Sequence, residues 1–338
     1  MSLAPRKVTL ADVAAAAGVA QTTASYVLNG RASQMRISED AERRVRQAIV
    51  DLGYRPNRSA RSLRTARTST VGVISDFVAS GHFSSQMLAG ASAAARQRDH
   101  LLVIGETGGD PGVEALLIEE MLERQVDGIV YVTRTGLEIQ VPPKLAGTRT
   151  VLLNCLDPDL PLAAFVPDEF AGGRTAAGVL LDSGVSGDIH IVGEDPSLHA
   201  FAGPLRMAGI RDRLAEAGRS VAGVVPCLWA VEAAYDAMHA WLSGGGRPAG
   251  LVCLNDRVAM GVYQALAEHG LTVPTDVSVV SFDGSELATW LRPRVVSVAL
   301  PFLELGTRAV QALLDPAAAD TGTVRLPMPL MPGGSVRV

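Results

Sequence analysis

The strongest constraint on the fold is a regular alternation of strand-like and helical segments from Thr70 to the end of the chain. The strand-like segments are short apolar runs at Val71–Ser75, Leu101–Gly105, Gly128–Val132, Thr150–Asn154, Asp188–Val192, Gly250–Leu254 and Val277–Phe282. The helical segments are rich in alanine and lie at Gln86–Arg98, Gly112–Arg124, Ala171–Ser183, Pro204–Ala217, Ala230–Leu242, Arg257–His269 and Leu303–Leu314. Strands that alternate with helices form parallel sheets with right-handed crossovers.

The segment 69–338 fits two doubly wound α/β subdomains better than one. We predict that the first subdomain combines about 69–165 with 300–322, and that the second combines about 166–298 with 323–338. In doubly wound folds, ligands bind at the carboxyl ends of the strands. The cleft between the two subdomains is therefore the predicted ligand site.

The first 57 residues have a different, all-helical pattern. Thr9 is placed to cap a helix over Leu10–Ala17, and Gly18 is placed to end it in a left-handed backbone conformation. A second helix follows over Gln21–Leu28 and stops at Asn29. Two short helices joined by a tight turn are typical of a helix-turn-helix DNA-binding domain, so residues 1–57 are predicted to form one.

A third helix is predicted to pack behind the first two. Ser38 is placed to cap it, and Glu39 and Asp40 lie in its first turn, where acids suit the helix dipole. The apolar residues expected to face inward are Val45, Ala48, Ile49 and Leu52. The alternative interpretation is an ordinary three-helix bundle whose exposed polar faces bind nothing.

The second helix of a helix-turn-helix enters the major groove. Its outward face carries Gln21, Thr22, Ser25 and Tyr26. Gln and Thr have the donors and acceptors that read base edges, so these residues, with Thr9 and Asn29 at the ends of the two helices, are the predicted DNA contacts of the head.

Residues 58–68 form a short basic segment that follows Tyr54-Arg55-Pro56-Asn57. Free in water, it has too little apolar surface to stay folded. Against DNA it can fold as a hinge helix, with arginines on phosphates and Leu63 between base steps of the minor groove. The predicted contacts are Asn57, just before this segment, and Arg58, Arg61 and Leu63 within it. The alternative is a plain interdomain linker.

The charge of the chain is divided between its two parts. Residues 1–68 hold twelve Lys and Arg against five Asp and Glu, whereas the rest holds eighteen against thirty. A basic head on an acidic body is typical of a module that binds a polyanion such as DNA.

Both parts of the chain resemble the LacI/GalR family of bacterial transcriptional regulators. In the head, the matching residues are V-T-L-x-D-V-A-x-x-A-G-V at 8–19, Val27-Leu28-Asn29, and G-Y-x-P-N-x-x-A-x-x-L at 53–63. In the body, they are Val71-Gly72-Val73, Gly128-Ile129-Val130, Asp168 with Gly172-Gly173, Arg206 with Met207-Ala208-Gly209, Asn255-Asp256 with Ala259-x-Gly261, and Val279-Val280-Ser281-Phe282-Asp283. The resemblance implies an all-α helix-turn-helix head and an α/β body like the periplasmic sugar-binding proteins.

In the head, the resemblance implies that Gln21, Thr22 and Tyr26 read bases and that Ala60 and Leu63 enter the minor groove. Two positions depart from the family pattern. Ala20 stands where a serine usually caps the recognition helix, and Tyr26 stands where arginine is common. The operator half-site therefore cannot be copied from a relative.

In the body, the resemblance implies an effector site in the cleft. The candidate effector-binding residues are Asp76, Phe77, Asn154, Asp168, Arg206, Trp229, Asn255 and Asp283. Arg206 can donate a bidentate fork, and Trp229 can supply an apolar face to a sugar or a purine. The alternatives are helix capping for Asp168, core packing for Trp229, and an ion pair of Arg206 with Asp283 across the cleft.

One further departure bears on the ligand. Many relatives have a glutamine just before a proline in the return segment, and here that position is Leu300 before Pro301. A lost polar contact at this point suggests a ligand with an apolar patch or fewer hydroxyls on that side.

Several classes of protein do not fit the sequence. It lacks the motifs GxGxxG, GxxxxGK[ST], GxSxG and HExxH, and its six histidines have no metal-ligand spacing. We therefore predict no enzyme activity and no cofactor or metal. The chain has no long uncharged apolar run and no secretory signal, and its three cysteines are scattered, so we expect a cytoplasmic protein without membrane contact.

The predicted function is that of an effector-controlled transcriptional regulator, a repressor that binds a pseudo-palindromic operator as a homodimer. Its predicted partners are double-stranded operator DNA, a sugar or related metabolite in the cleft, and a second copy of the chain. Allostery follows if the ligand favours one relative orientation of the subdomains. The alternatives are a pure sugar-binding receptor, which would require export, and a repressor controlled by a protein partner.

Overall fold

The computed structural model describes residues 8–55, 67–76, 85–195, 200–315 and 322–337. Six predicted contact residues lie outside these ranges, namely Asn57, Arg58, Ala60, Arg61, Leu63 and Phe77. The chain divides into two units, Met1–Thr68 and Ser69–Val338, which we call the head and the body.

Among its described residues, the head has three helices, α1 (Leu10–Ala17), α2 (Gln21–Leu28) and α3 (Glu39–Asp51). Thr9 caps α1 in a reciprocal capping box with Asp12, whose amide lies 3.3 Å from the Thr9 hydroxyl. The chain then turns sharply into α2 at Gly18, whose φ of 63° is a left-handed conformation that glycine adopts easily.

The predicted inward face of the head is largely correct. The buried core contains Val13, Ala14, Ala17, Ala24, Val27, Ala32, Val45 and Ala48. Leu52 was predicted to face inward, but it is 37% exposed because it lies past the last turn of α3, where the chain has left the helix. Its place at the edge of the core is taken by Ile37 and Tyr54.

The body contains twelve strands and nine helices among its described residues. The strands are β1 (Thr70–Ser75), β2 (Leu101–Glu106), β3 (Gly128–Glu138), β4 (Thr150–Leu156), β5 (Ala164–Pro167), β6 (Ile189–Glu194), β7 (Gly223–Pro226), β8 (Gly250–Cys253), β9 (Ser278–Asp283), β10 (Val296–Ala299), β11 (Thr323–Leu326) and β12 (Leu330–Met331). The helices are α4 (Ser85–Gln97), α5 (Pro111–Glu123), α6 (Pro143–Ala146), α7 (Glu169–Asp182), α8 (Ala202–Glu216), α9 (Val231–Ser243), α10 (Asp256–Glu268), α11 (Glu286–Trp290) and α12 (Phe302–Leu314).

These strands form two six-stranded sheets, so the predicted two-sheet α/β body is confirmed. The first sheet has the order β11-β5-β4-β3-β1-β2 and is parallel throughout. The second has the order β12-β10-β9-β8-β6-β7, and only its edge strand β12 is antiparallel. We call the first sheet with its helices lobe one, and the second sheet with its helices lobe two.

The predicted boundaries between the lobes need two corrections. The second lobe is predicted to begin at about residue 166, but Val166 and Pro167 still pair within the first sheet, with Arg325 and Leu326 of β11. Residues 323–338 were also assigned to lobe two, but β11 pairs with β5. The chain therefore enters lobe two after Pro167 the first time and after Leu326 the second time. Both β5 and β11 stay in the first sheet because they are hydrogen-bonded to each other.

Helices α7 and α8 pack very closely because each contributes a glycine to their contact. A Cβ atom on Gly173 would lie 2.2 Å from the carbonyl oxygen of Arg206, and one on Gly209 would lie 2.0 Å from that of Phe170. This close approach places Arg206 of α8 beside Glu169 at the start of α7.

Within the described part of the chain, we find no helix that combines the length and the apolar character needed to cross a membrane.

Candidate functional site

The recognition face of the head lies on α2. Gln21 and Thr22 are exposed at the start of this helix, whereas Ser25 and Tyr26 are half-buried one turn later. Asn29 folds back on the helix end, where its side-chain amide donates to the Ser25 carbonyl at 2.6 Å. Ala20 is the N-cap residue of α2, but its methyl group cannot accept a hydrogen bond and so does not cap the helix.

The Tyr26 ring is shielded on one side by a neighbouring cation. The guanidinium carbon of Arg31 lies 5.7 Å from the centre of the Tyr26 ring, within the range of a cation–π contact. Thr9 is exposed, and its hydroxyl donates to Asp12 at 2.7 Å. The head therefore presents two exposed base-reading candidates, Gln21 and Thr22, beside a half-buried tyrosine whose ring lies near Arg31.

In lobe one, Asp76 directly follows β1, and Asn154 lies within β4, two residues before that strand ends. The Asp76 carboxylate accepts a hydrogen bond from the backbone amide of Arg134 at 2.8 Å. The side-chain amide of Asn154 donates to the carbonyls of Thr133 and Arg134 at 3.0 and 3.1 Å. The Thr133 hydroxyl donates to the backbone carbonyl of Asn154 at 2.9 Å. Both predicted effector residues thus hold an irregular part of β3.

In lobe two, Arg206 is fully buried in an ion pair that the sequence did not indicate. Its Nε and one terminal nitrogen donate to the two carboxylate oxygens of Glu169 at 2.7 and 3.2 Å. The other terminal nitrogen donates to the Leu254 carbonyl at 2.5 Å and lies 3.6 Å from Asp283. Burial alone would lower the pKa of Arg206, but the charges of Glu169 and Asp283 outweigh it and keep the pKa raised.

The predicted alternative for Arg206 was an ion pair with Asp283 across the cleft. The structure corrects this in two ways, because Glu169 is the principal partner and all three residues belong to lobe two. The guanidinium also lies between two aromatic rings, 4.6 Å from the centre of Phe282 and 5.3 Å from that of Trp229. Direct contact of Arg206 with an effector stays a prediction.

Asp283 is the last residue of β9 and has a φ of 101°, a backbone conformation that residues other than glycine rarely adopt. Its side chain is only 14% exposed. Burial raises the pKa of Asp283 to about 7, even though Arg206 opposes the shift. A neighbouring acid, Asp256, is buried as well and accepts hydrogen bonds from Ser281, Ser285 and Ser297.

This raised pKa predicts a pH dependence of stability. In the unfolded chain, Asp283 has an ordinary Asp pKa of about 3.9 and loses its proton above that pH. In the folded protein it keeps the proton up to a pH of about 7. The stability of the fold therefore falls as the pH rises from about 4 to about 7. Replacing Asp283→Asn is expected to flatten this fall. Urea unfolding of both proteins at several pH values measures it, and equal pH slopes would contradict the assignment.

Lobe two contains a cavity of about 170 Å³ at the carboxyl ends of its strands. The lining residues are Glu194, Asp195, Ala200, Gly203, Pro204, Met207, Trp229 and Leu254. Trp229 is held in the wall by a hydrogen bond from its indole nitrogen to the Gly193 carbonyl at 2.6 Å. A mostly apolar cavity with two carboxylates and an indole in its wall suits a small ligand that has both apolar and polar groups.

Two of the predicted effector residues cap helices. The Asp168 carboxylate accepts from the Ala171 amide at 3.1 Å, as the capping alternative required. The Asn255 side-chain oxygen accepts from the Val258 amide at 2.8 Å. The Asn255 side-chain nitrogen, however, is buried and has no hydrogen-bond partner among the residues that the structure describes. Since such a donor is costly to leave unpaired, it is a candidate group for a ligand.

The predicted effector residues therefore fall into two groups. Arg206, Trp229, Asn255 and Asp283 lie together at one edge of lobe two, whereas Asp76 and Asn154 lie in lobe one. Sequence reasoning missed Glu169 and the cavity residues Glu194 and Asp195. Glu194 and Asp195 could have been found from the sequence, because they closely follow the predicted strand Asp188–Val192.

Comparison with known proteins shows the same two parts. Residues 9–57 match the family model described as bacterial regulatory proteins, lacI family, and residues 171–336 match the periplasmic binding protein-like domain. The chain is 30% identical over 308 residues to the HTH-type transcriptional regulator RegA of Clostridium saccharobutylicum. This match covers 90% of this chain and 90% of the relative. It is also 30% identical over 310 residues to the ribose operon repressor of Escherichia coli strain K12, covering 90% of this chain and 92% of the relative.

Solved structures agree with this assignment. The chain is similar to the lac repressor dimer bound to operator and the anti-inducer ONPF, with a TM-score of 0.82 and 25% identity over 98% of this chain and all of that one. It is also similar to a complex of the transcriptional regulator CelR with cellobiose, with a TM-score of 0.67 and 26% identity over 97% of this chain and all of that one. This protein therefore belongs to the LacI family of bacterial regulatory proteins.

Proposed function

We propose that this protein is a transcriptional repressor that binds a pseudo-palindromic operator as a homodimer and is controlled by a sugar or related metabolite. The observation that carries the proposal is the exposed start of α2, where Gln21 and Thr22 face solvent on a complete helix-turn-helix. Side chains of this kind at the start of a recognition helix read base edges in the major groove. The relatives named above include a ribose operon repressor.

The hinge segment 58–68 belongs to the same proposal. The proposed DNA contacts come from Asn57, just before the segment, and from Arg58, Ala60, Arg61 and Leu63 within it, by their match to the family pattern. Arginines bind the phosphates, and Leu63 enters between base steps and bends the duplex. The protein acts in the cytoplasm, where it reaches chromosomal DNA.

The proposed homodimer forms through an apolar surface of lobe one. Strand β2 is an edge strand of its sheet and exposes Leu101, Val103 and Ile104. Helix α5 exposes Val113 and Leu116. A long exposed edge strand with apolar side chains is a ready pairing surface, so a second copy of the chain is its proposed occupant. A dimer places two heads on one palindrome.

The proposed effector site is the cavity of lobe two together with the cleft residues around it. The unpaired side-chain nitrogen of Asn255 supplies a donor, Asp283 and Glu194 supply acceptors, and Trp229 supplies an apolar surface. Donors, acceptors and an apolar surface of this kind bind a hydroxyl-rich molecule without changing it chemically. We propose that the site binds its ligand and does not catalyse a reaction. The CelR–cellobiose complex among the similar structures supports a saccharide.

The operator-binding part is tested by selection of DNA fragments with the purified full-length protein. We expect a pseudo-palindromic sequence with two half-sites, each read by one head. Affinity for it should fall steeply with salt, by about 10³ to 10⁵ between 50 and 200 mM, if two heads together contact some six to ten phosphates. Selection of no common sequence would contradict the proposal.

A further inference from the structure

Strand β3 contains an irregular segment that leaves the sheet. Val132 is paired with Leu153 of β4, and the next pair is Leu137 with Cys155. Residues 133–136 of β3 therefore stand opposite the single residue Asn154. An insertion of this kind bends the strand and projects the extra residues out of the ladder. We call residues 133–136 the β3 projection.

The β3 projection is held in a fixed shape by side chains of lobe one. Asp76 accepts from the Arg134 amide, and the buried Asn154 amide group binds the Thr133 and Arg134 carbonyls. Asn154 itself adopts a left-handed backbone with a φ of 56°. Asparagine tolerates this conformation better than most residues, and here its hydrogen bonds with Thr133 hold it in place.

The projection reaches lobe two at Phe201. The Phe201 amide donates to the Gly136 carbonyl at 2.9 Å. The Phe201 ring lies directly over the Gly136 backbone, since a Cβ atom on Gly136 would come within 2.7 Å of the ring carbon Cε2. Gly136 is buried, and its lack of a side chain is what admits the ring. One hydrogen bond and one aromatic contact thus join the two lobes.

Phe201 also lies at the edge of the cavity in lobe two. It is the residue that precedes α8, and its own side chain makes no capping hydrogen bond to this helix. Its neighbours Ala200 and Gly203 line the cavity, as do Pro204 and Met207 further along α8. A molecule that enters the cavity therefore contacts the same short stretch of backbone that carries the contact with Gly136.

We propose that the contact of Gly136 with Phe201 is a clasp that holds the two lobes in one relative orientation at the edge of the cavity. Asp76 and Asn154 act in it as positioning residues, because they fix the projection. A ligand shifts the orientation to the extent that it contacts the clasped and unclasped states differently. Only this effect of a ligand rests on the proposed function, namely that the cavity is the effector site.

The clasp can be opened by substitutions that leave the rest of the fold in place. Phe201→Pro removes both the amide donor and the ring, and the Phe201 φ of −74° already suits a proline. Phe201→Ala removes only the ring. Gly136→Val fills the space that the ring occupies. The matched control is Gly147→Ala in the same lobe, where an added Cβ meets no atom within 4 Å.

The measurement is an electron–electron distance between spin labels on the exposed residues Gln97 of lobe one and Gln264 of lobe two. The full-length protein carries Cys227→Ser, since Cys155 and Cys253 are buried, and is diluted with unlabelled protein so that distances within one chain dominate. No DNA and no small molecule is added. Failure of the clasp is thereby distinguished from failure of operator or effector binding.

We expect one narrow distance distribution for the parent protein and for Gly147→Ala. Phe201→Pro and Gly136→Val should displace or broaden it, and Phe201→Ala should have an intermediate effect. Variants that keep the parent melting temperature and the parent distance distribution would overturn the proposal. If Phe201→Pro fails to fold, Gly136→Val and Phe201→Ala decide the matter in the same way.

Discussion

Replacing both Gln21 and Thr22 with alanine is expected to abolish sequence-specific operator binding while nonspecific DNA binding remains. Both side chains are exposed at the start of α2 and have no role in the core of the head. A good base contact contributes about 1–3 kcal/mol of discrimination. A dimer that loses two such contacts in each half-site therefore loses at least about 4 kcal/mol, roughly a thousandfold in affinity.

The measurement is fluorescence anisotropy with the selected operator and with a scrambled duplex of equal length. Gln47→Ala is the matched control, because Gln47 is an exposed glutamine on α3 whose side chain bonds to Asp51. We expect this control to keep the ratio of specific to nonspecific affinity. If the double variant also keeps that ratio, α2 does not read the operator.

Replacing Glu169→Ala is expected to destabilise the body by about 3–5 kcal/mol, because it leaves the buried Arg206 without its principal partner. Arg206 and Glu169 have side chains that are 2% and 3% exposed, so solvent does not compensate the loss. Asp283, at 3.6 Å, is a weaker replacement than the two bonds to Glu169. Urea unfolding followed by circular dichroism gives the free energy of unfolding.

The same two helices provide the control for this variant. Arg174 of α7 forms an ion pair with Asp212 of α8, and these side chains are 32% and 46% exposed. Asp212→Ala is therefore expected to cost less than about 1 kcal/mol. Similar losses in Glu169→Ala and Asp212→Ala would show that the buried pair contributes no more than a surface one.

The sequence pattern predicted most of the fold because long elements carry a clear period. All seven predicted strands are present, and the helices between them agree to within a few residues. The strands without a prediction of their own, β5, β7, β10, β11 and β12, have two to four residues each. Strands this short show little alternation, and β8, which also has four residues, was predicted from its continuous apolar run. The pairing of β11 with lobe one depends on contacts distant in sequence.

The site was predicted less completely for a similar reason. Helix caps such as Asp168 and Asn255 are local, and the capping alternative for Asp168 followed from the sequence. The partner of Arg206 lies 37 residues away on another helix, so no spacing rule indicated Glu169. Leu300, predicted to border the ligand, packs against the hydrophobic clusters of both lobes, which is a contact between elements rather than a local pattern.

The central claim is that a small molecule in the body controls DNA binding by the head. The most direct test first identifies ligands by thermal shift of the full-length protein against sugars, sugar phosphates, polyols, nucleosides and purines. The operator affinity is then measured with and without each compound that raises the melting temperature. We predict that at least one such compound changes the operator affinity tenfold or more, whichever the direction. Stabilising compounds that all leave operator affinity unchanged would contradict the account.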